Sequence, residues 1–142
     1  MTAKEYLNQA YRLDQRINNK LMQIDALRSL TQKVTSRFKE NIVSYTRNVT
    51  SLEDTIIRLM EAENELNQQI DDLVDLKREI TNRVNTLENI DHRLVLEKRY
   101  LCILPWEEIA LDMHYSLRGV QSVHTRALAA LGEILVKQEG TS

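Results

Sequence analysis

The sequence predicts an all-α chain: a long antiparallel helical hairpin, or coiled-coil arm, followed by a compact helix-turn-helix. Three observations carry this. Gly is 3 and Pro is 1 in 142 residues, far too few turn formers for a sandwich or a barrel. Apolar residues are 42% and charged residues 28%, the balance of long amphipathic helices and too apolar for simple disorder. Apolar positions also recur by threes and fours over two long stretches, and a shorter two-helix pattern ends the chain. The organisation expected is an arm over 1–88, a helix-turn-helix over 89–137 and a tail over 138–142.

The first helix is expected to start at Thr2. Thr2 with Glu5 three residues on matches the capping box, in which each side chain satisfies the other's free amide. Its stripe is Tyr6, Ala10, Leu13, Ile17, Ile24, Leu27, Val34 and Phe38, interrupted at Lys20 and Thr31. The period fades after about Thr35, and residues 36–50 read as a connecting loop. The second helix is expected from Thr50 or Ser51, since Thr50–Glu53 and Ser51–Asp54 both fit the capping box. Its stripe is Leu52, Ile56, Leu59, Leu66, Ile70, Leu73, Ile80, Val84 and Leu87, broken only at Glu63 and Lys77. Ile57, Met60, Val74 and Leu76 widen it, which suits a bundle of more than two helices.

Charge supports the hairpin. Residues 1–40 carry a net +4 and residues 51–90 a net −6, so an antiparallel pair brings opposite charges together. The bases of the first segment do not share one helical face, which argues against that helix tracking phosphate. A two-helix hairpin has little core, and a homodimer through the arm is the expected remedy.

In the last fifty residues, Asn89 is the candidate start of a helix running to Leu101. Pro105 opens a short helix through Met113, with Glu107 and Glu108 at its positive end. His114-Tyr115 forms the turn, and Ser116 caps a third helix from Leu117 to about Val136. Ile109, Ala110, Met113, Val120, Val123, Ala127 and Leu128 are spaced to pack the last two helices together.

Pro105–Leu128 (PWEEIALDMHYSLRGVQSVHTRAL) resembles the DNA-binding fourth region of bacterial sigma factors. Trp106-Glu107-Glu108-Ile109-Ala110 matches the opening of that family's first helix. Ser116, Val120 and Arg126-Ala127-Leu128 match its second helix without a gap, and Leu96–Tyr100 resembles the helix just upstream. The likeness covers roughly residues 90–135. Two positions depart from it: His114 stands where Gly is usual, and Gln121 where Lys or Arg is common. The whole layout is also similar to small phage and prophage proteins of Gram-positive bacteria. That likeness rests on residues 3–14 (AKEYLNQAYRLD), on Asp75–Ile80 and on the sigma-like tail. Those proteins are grouped with late-gene transcription regulators of the ArpU and RinA types.

The resemblance implies a duplex-DNA-binding transcription regulator of phage or prophage genes that works in the bacterial cytoplasm and contacts host RNA polymerase. The third helix would enter the major groove. By position Leu117, Arg118, Gln121 and Ser122 would meet base edges, with Arg suited to guanine and Gln to adenine. His124, Thr125 and Arg126 would meet phosphates. No segment resembles a promoter-melting region, so a complete sigma factor is not expected. The alternatives are a phage structural or assembly protein and a DNA-packaging factor of the small-terminase kind.

Enzyme readings find little. His92, His114 and His124 lack metal-ligand spacing, and Cys102 has no CxxC partner and reads as a small buried apolar residue. No cofactor, metal or catalytic residue is expected. Met1–Arg12 has no apolar core of a signal peptide, and no apolar run reaches the ~18–20 residues of a membrane span.

Overall fold

The computed structural model describes residues 1–40 and 45–140, and among them every regular element is helical. In chain order these are α1 (Ala3–Glu40), α2 (Tyr45–Val84), α3 (Ile90–Leu96), α4 (Trp106–Met113) and α5 (Leu117–Gly140). A π-helical turn, Glu97–Leu101, continues α3. Two compact units divide the chain. One comprises residues 1–13 and 73–142, the other Asp14–Asp72.

The first unit holds the larger core. α1 opens with the expected reciprocal cap: the Thr2 amide donates to Glu5 Oε2 at 3.3 Å, and the Glu5 amide to Thr2 Oγ1 at 3.1 Å. This fixes the first turn, from which Tyr6, Leu7 and Ala10 point into the core. Ile80 and Val84 of α2 join them, and Leu87 enters from the turn after α2. Asn89 then caps α3, its Oδ1 accepting from the His92 amide at 3.2 Å. Val95, Leu96, Tyr100, Ile109 and Val120 complete the centre, with Ala127, Leu131 and Leu135 farther along α5. Leu7, Ile80, Leu96, Ile109 and Leu131 are fully buried, each worth about 1.5–3 kcal/mol.

The second unit pairs parts of α1 and α2. Lys20 Nζ lies 2.6 Å from Glu65 Oε2, and Arg28 Nη2 lies 3.1 Å from Glu63 Oε1. Ile17 and Ile24 are buried on α1, Thr55 and Ala62 on α2. Thr55 is satisfied within its own helix, donating to the Ser51 carbonyl at 2.8 Å.

Several sequence expectations are corrected here. The loop expected over 36–50 is helical through Glu40 and again from Tyr45, and only its centre, 41–44, falls outside the described residues. Residues 36–50 hold no Gly or Pro, so nothing local stops either helix where the stripe fades. For the same reason Thr50 and Ser51 lie inside α2 rather than capping it. The tail expected from 138 is helical to Gly140. The inward seam of α2 is also shifted. Thr55 and Ala62 are buried, while Ile56 and Ile70, expected on the seam, stay 39% and 40% exposed. Thr55 is small enough for a close approach, so the bulkier Ile56 one residue on is turned outward.

The core assigns unequal roles to apolar residues of the same helix. Leu7→Ala is expected to destabilise by about 2–5 kcal/mol, because Leu7 is fully buried. Met22→Ala, at a position 64% exposed, is expected to stay within about 0.5 kcal/mol. Urea unfolding followed by circular dichroism checks both; equal effects would contradict the packing described.

Candidate nucleic-acid interface

α4 and α5 are held by one apolar seam. Ile109 and Ala110 of α4 are buried with Val120, Val123 and Ala127 of α5, and Met113 and Leu128 pack against them. Ala110 has no side chain beyond Cβ to hold the helices apart.

The turn between them closes in two steps. His114 adopts φ 59°, ψ 37°, the left-handed conformation that ends many helices. The His114 amide donates to the Leu111 carbonyl at 3.2 Å and the Tyr115 amide to the Ala110 carbonyl at 2.9 Å, the paired bonds of a Schellman motif. Ser116 then caps α5, its Oγ accepting from the Gly119 amide at 3.0 Å. A Cβ at residue 119 would come within 3.0 Å of that same oxygen, so glycine leaves the cap its room. A further strut comes from Tyr115, whose hydroxyl donates to Asp91 Oδ2 at 2.6 Å. That bond to a carboxylate raises the Tyr115 pKa above its ordinary value.

With Val120, Val123 and Ala127 turned inward, the opposite side of α5 faces water. Leu117, Arg118, Gln121, Ser122 and Thr125 are all exposed there. Thr125 donates its hydroxyl to the Gln121 carbonyl at 3.1 Å. Arg126 folds back along the helix, with Nη2 3.4 Å from Ser122 Oγ and Nε 3.4 Å from the Ser122 carbonyl. Six of the seven sequence-predicted residues thus share an exposed stretch of about three turns.

His124 is the exception. Its ring is half-buried, stacked on Tyr100 at 5.7 Å and meeting Trp106 edge-on at 4.6 Å. The Tyr100 hydroxyl lies 2.8 Å from His124 Nε2. Burial, with Lys4 and Arg99 nearby, lowers the His124 pKa to about 4. His124, expected to meet phosphate, is thus a half-buried ring that is neutral near pH 7 and has one nitrogen already engaged.

The helix expected from Asn89 to Leu101 does run to Leu101, but its last turn is π-helical. The π-helical turn brings the Cys102 amide to the Glu97 carbonyl at 2.9 Å and the Leu104 amide to the Lys98 carbonyl at 3.0 Å. Ile103 takes φ 55°, an uncommon conformation for a β-branched residue. Arg99 ties the bend down, donating from Nη1 to the Leu104 carbonyl at 3.0 Å while its guanidinium lies 4.7 Å over the Trp106 ring. Cys102, expected to be buried, is exposed, because the bend turns it outward. The aromatic content of 96–106 was the one local hint, and no helical period links Tyr100, Trp106 and His124.

Among the described residues no group of three or more His, Cys, Asp or Glu is placed to hold a metal ion. Nor is any helix long and apolar enough to cross a membrane. A family model described as "Protein of unknown function (DUF1492)" matches residues 33–131. No curated protein and no solved structure matches the chain.

Two outcomes follow from this geometry. His114→Gly is expected to raise stability by about 1 kcal/mol in thermal unfolding, since glycine adopts the left-handed turn without a Cβ clash. A lowered Tm would contradict the strain. For His124, the unfolded chain binds its proton near the ordinary 6.5 and the folded chain only near 4. Its contribution is thus complete above about pH 6.5 and is lost as pH falls towards 4. His124→Gln is expected to flatten the stability profile across that window, and an NMR titration of the ring near pH 6.5 would contradict the burial.

Proposed function

The chain belongs to the DUF1492 family, and we propose that it is a sequence-specific duplex-DNA-binding regulator of phage or prophage transcription. α4, the turn and α5 act as a helix-turn-helix of the kind seen in sigma-factor region four, and α5 enters the major groove. Arg118 and Gln121 read base edges, with Leu117 and Ser122 beside them. Thr125 and Arg126 hold phosphates, Arg126 by exchanging its bonds to Ser122 for a phosphate oxygen. His124 positions the helix from inside and does not contact DNA as a cation.

One observation carries this. The N-terminal half of α5 presents a continuous polar face with an arginine and a glutamine one turn apart, on a helix locked behind by Val120, Val123 and Ala127. An exposed helix face that is both rigid and polar is what groove reading requires. The sigma-like spacing of Pro105–Leu128 supplies the assignment to transcription, and the likeness to phage proteins supplies the setting in a bacterial host cell.

The arm adds valency. α1 and α2 form an antiparallel hairpin, and two copies associate through it to give a homodimer with two reading heads. Ile56, Ile57 and Met60 on α2, and Leu21 on α1, are exposed and would be covered by such pairing. A dimer compensates for the weak non-specific attraction expected of a chain with net charge −2. Host RNA polymerase is the further partner.

The test is fluorescence anisotropy with intergenic fragments from the protein's own replicon. Wild type is expected to prefer one fragment, and Arg118→Ala/Gln121→Ala to lose about 2–6 kcal/mol of that preference at two base contacts. A folded protein that binds no fragment at low salt would refute the DNA-binding function. Ring assembly with preference for a packaging site would favour the packaging alternative.

A further inference from the structure

A polar cleft of about 340 Å³ opens beside the reading face of α5. The first turns of α1 supply Lys4 and Asn8, the bend before α4 supplies Arg99 and Trp106, and α5 supplies His124 and Thr125. All belong to the same compact unit. None of the residues lining the cleft is acidic. Among the described residues the ion pairs involve other side chains, and neither Lys4 nor Arg99 takes part in one. Two cations thus share a cleft with an amide and a hydroxyl and no acidic side chain, although Lys4 also borders a neighbouring pocket lined by Glu133 and Glu139.

The backbone that carries Lys4 and the guanidinium of Arg99 are both held. Lys4 lies in the turn that the Thr2–Glu5 cap holds. Arg99 is anchored by the Leu104 carbonyl and by the Trp106 ring, which leaves the rest of its fork of donors for another acceptor. Burial above all, and then the two cations beside it, keep the His124 ring uncharged. A neutral imidazole can accept or donate one hydrogen bond without adding repulsion between the cations. Like charges held near one another without an anion favour binding one, and arginine favours tetrahedral oxyanions through paired N–H donors.

We infer that this cleft is a phosphate-binding site in which Lys4 and Arg99 neutralise the anion, Asn8 donates to it, and Thr125 donates once its hydroxyl leaves the Gln121 carbonyl. Resting on the DNA-binding function proposed above, its ligand is a backbone phosphodiester at the edge of the groove that α5 occupies. Gln121 lines the cleft as well as the reading face, so the two surfaces are continuous. The N-terminal end of the chain would then take part in DNA binding through two residues of α1, Lys4 and Asn8, even though the bases of that helix do not share a face.

Trp106 is the only tryptophan, so its fluorescence reports on the cleft directly. The first titration uses inorganic phosphate against chloride at constant ionic strength. A saturable change is expected in wild type and is expected to be lost in Lys4→Gln and in Arg99→Gln. Lys4 is exposed, so its variant remains informative if Arg99→Gln fails to fold. The second titration uses the preferred duplex and a scrambled one over a range of salt. Both variants are expected to weaken the two duplexes alike and to lower the slope of log K against log salt by about 0.9, the loss of one phosphate contact. Phosphate binding without any duplex binding would keep the anion site and discard DNA as its source. Duplex binding by wild type, with phosphate silent and the slope unchanged in Lys4→Gln, would overturn the site and leave the Arg118–Gln121 surface standing.

Discussion

Leu7, Ile80, Leu96, Ile109 and Leu131 come from five different helices, and all five are fully withdrawn from water. Their shared burial is the constraint on which the C-terminal half of the molecule depends. α4 is only eight residues and α3 seven, too short to persist alone in water. They hold because the first turns of α1 and the last turns of α2 close over them. α5 is therefore kept in place, with its polar face outward, by a core to which residues near the start of the chain, Leu7 and Ala10 among them, also contribute.

Around that core the polar groups are arranged with little surplus. Asn89, Ser116 and the Thr2–Glu5 pair each satisfy a helix start, and the His114 turn satisfies the end of α4. Tyr115 reaches back to Asp91, linking the turn to α3. The His124 imidazole is drawn into the packing beside Tyr100, and its neutrality follows from where it sits. A charged imidazole there would lie among aromatic rings and beside two cations. The same site would welcome an anion near Lys4 and Arg99, so the electrostatics of the fold and those of a phosphate ligand point the same way.

The unit formed by Asp14–Asp72 follows different rules. Its buried residues are few, and two of them, Thr55 and Ala62, are small. Ion pairs such as Lys20–Glu65 and Arg28–Glu63 cross between its helices but are surface contacts, each worth about 0–1 kcal/mol. Much of its apolar surface, including Ile57 and Met60, stays in water. Such a surface is suited to association, whereas the C-terminal core is already closed on itself.

Sequence alone determined what depends on near neighbours. The scarcity of Gly and Pro made the chain helical. The Thr2–Glu5 box, the Asn89 and Ser116 caps and the α4–α5 seam were legible because each needs partners only three or four residues apart, or two short helices in a known order. The tertiary structure decided what depends on distant residues. The stripe of α2 was legible but its register was not, since a helix offers adjacent stripes and only the packing chooses between Thr55 and Ile56. The helix ends at Glu40 and Tyr45 were hidden because a fading stripe removes a burial signal without breaking a helix. His124 read as a phosphate contact on α5, and its place as a half-buried neutral ring depends on the π-helical turn that carries Tyr100 and Arg99 beside it. No local pattern encodes that meeting, because residues 24 positions apart are brought together by burial, which has no fixed spacing along the chain.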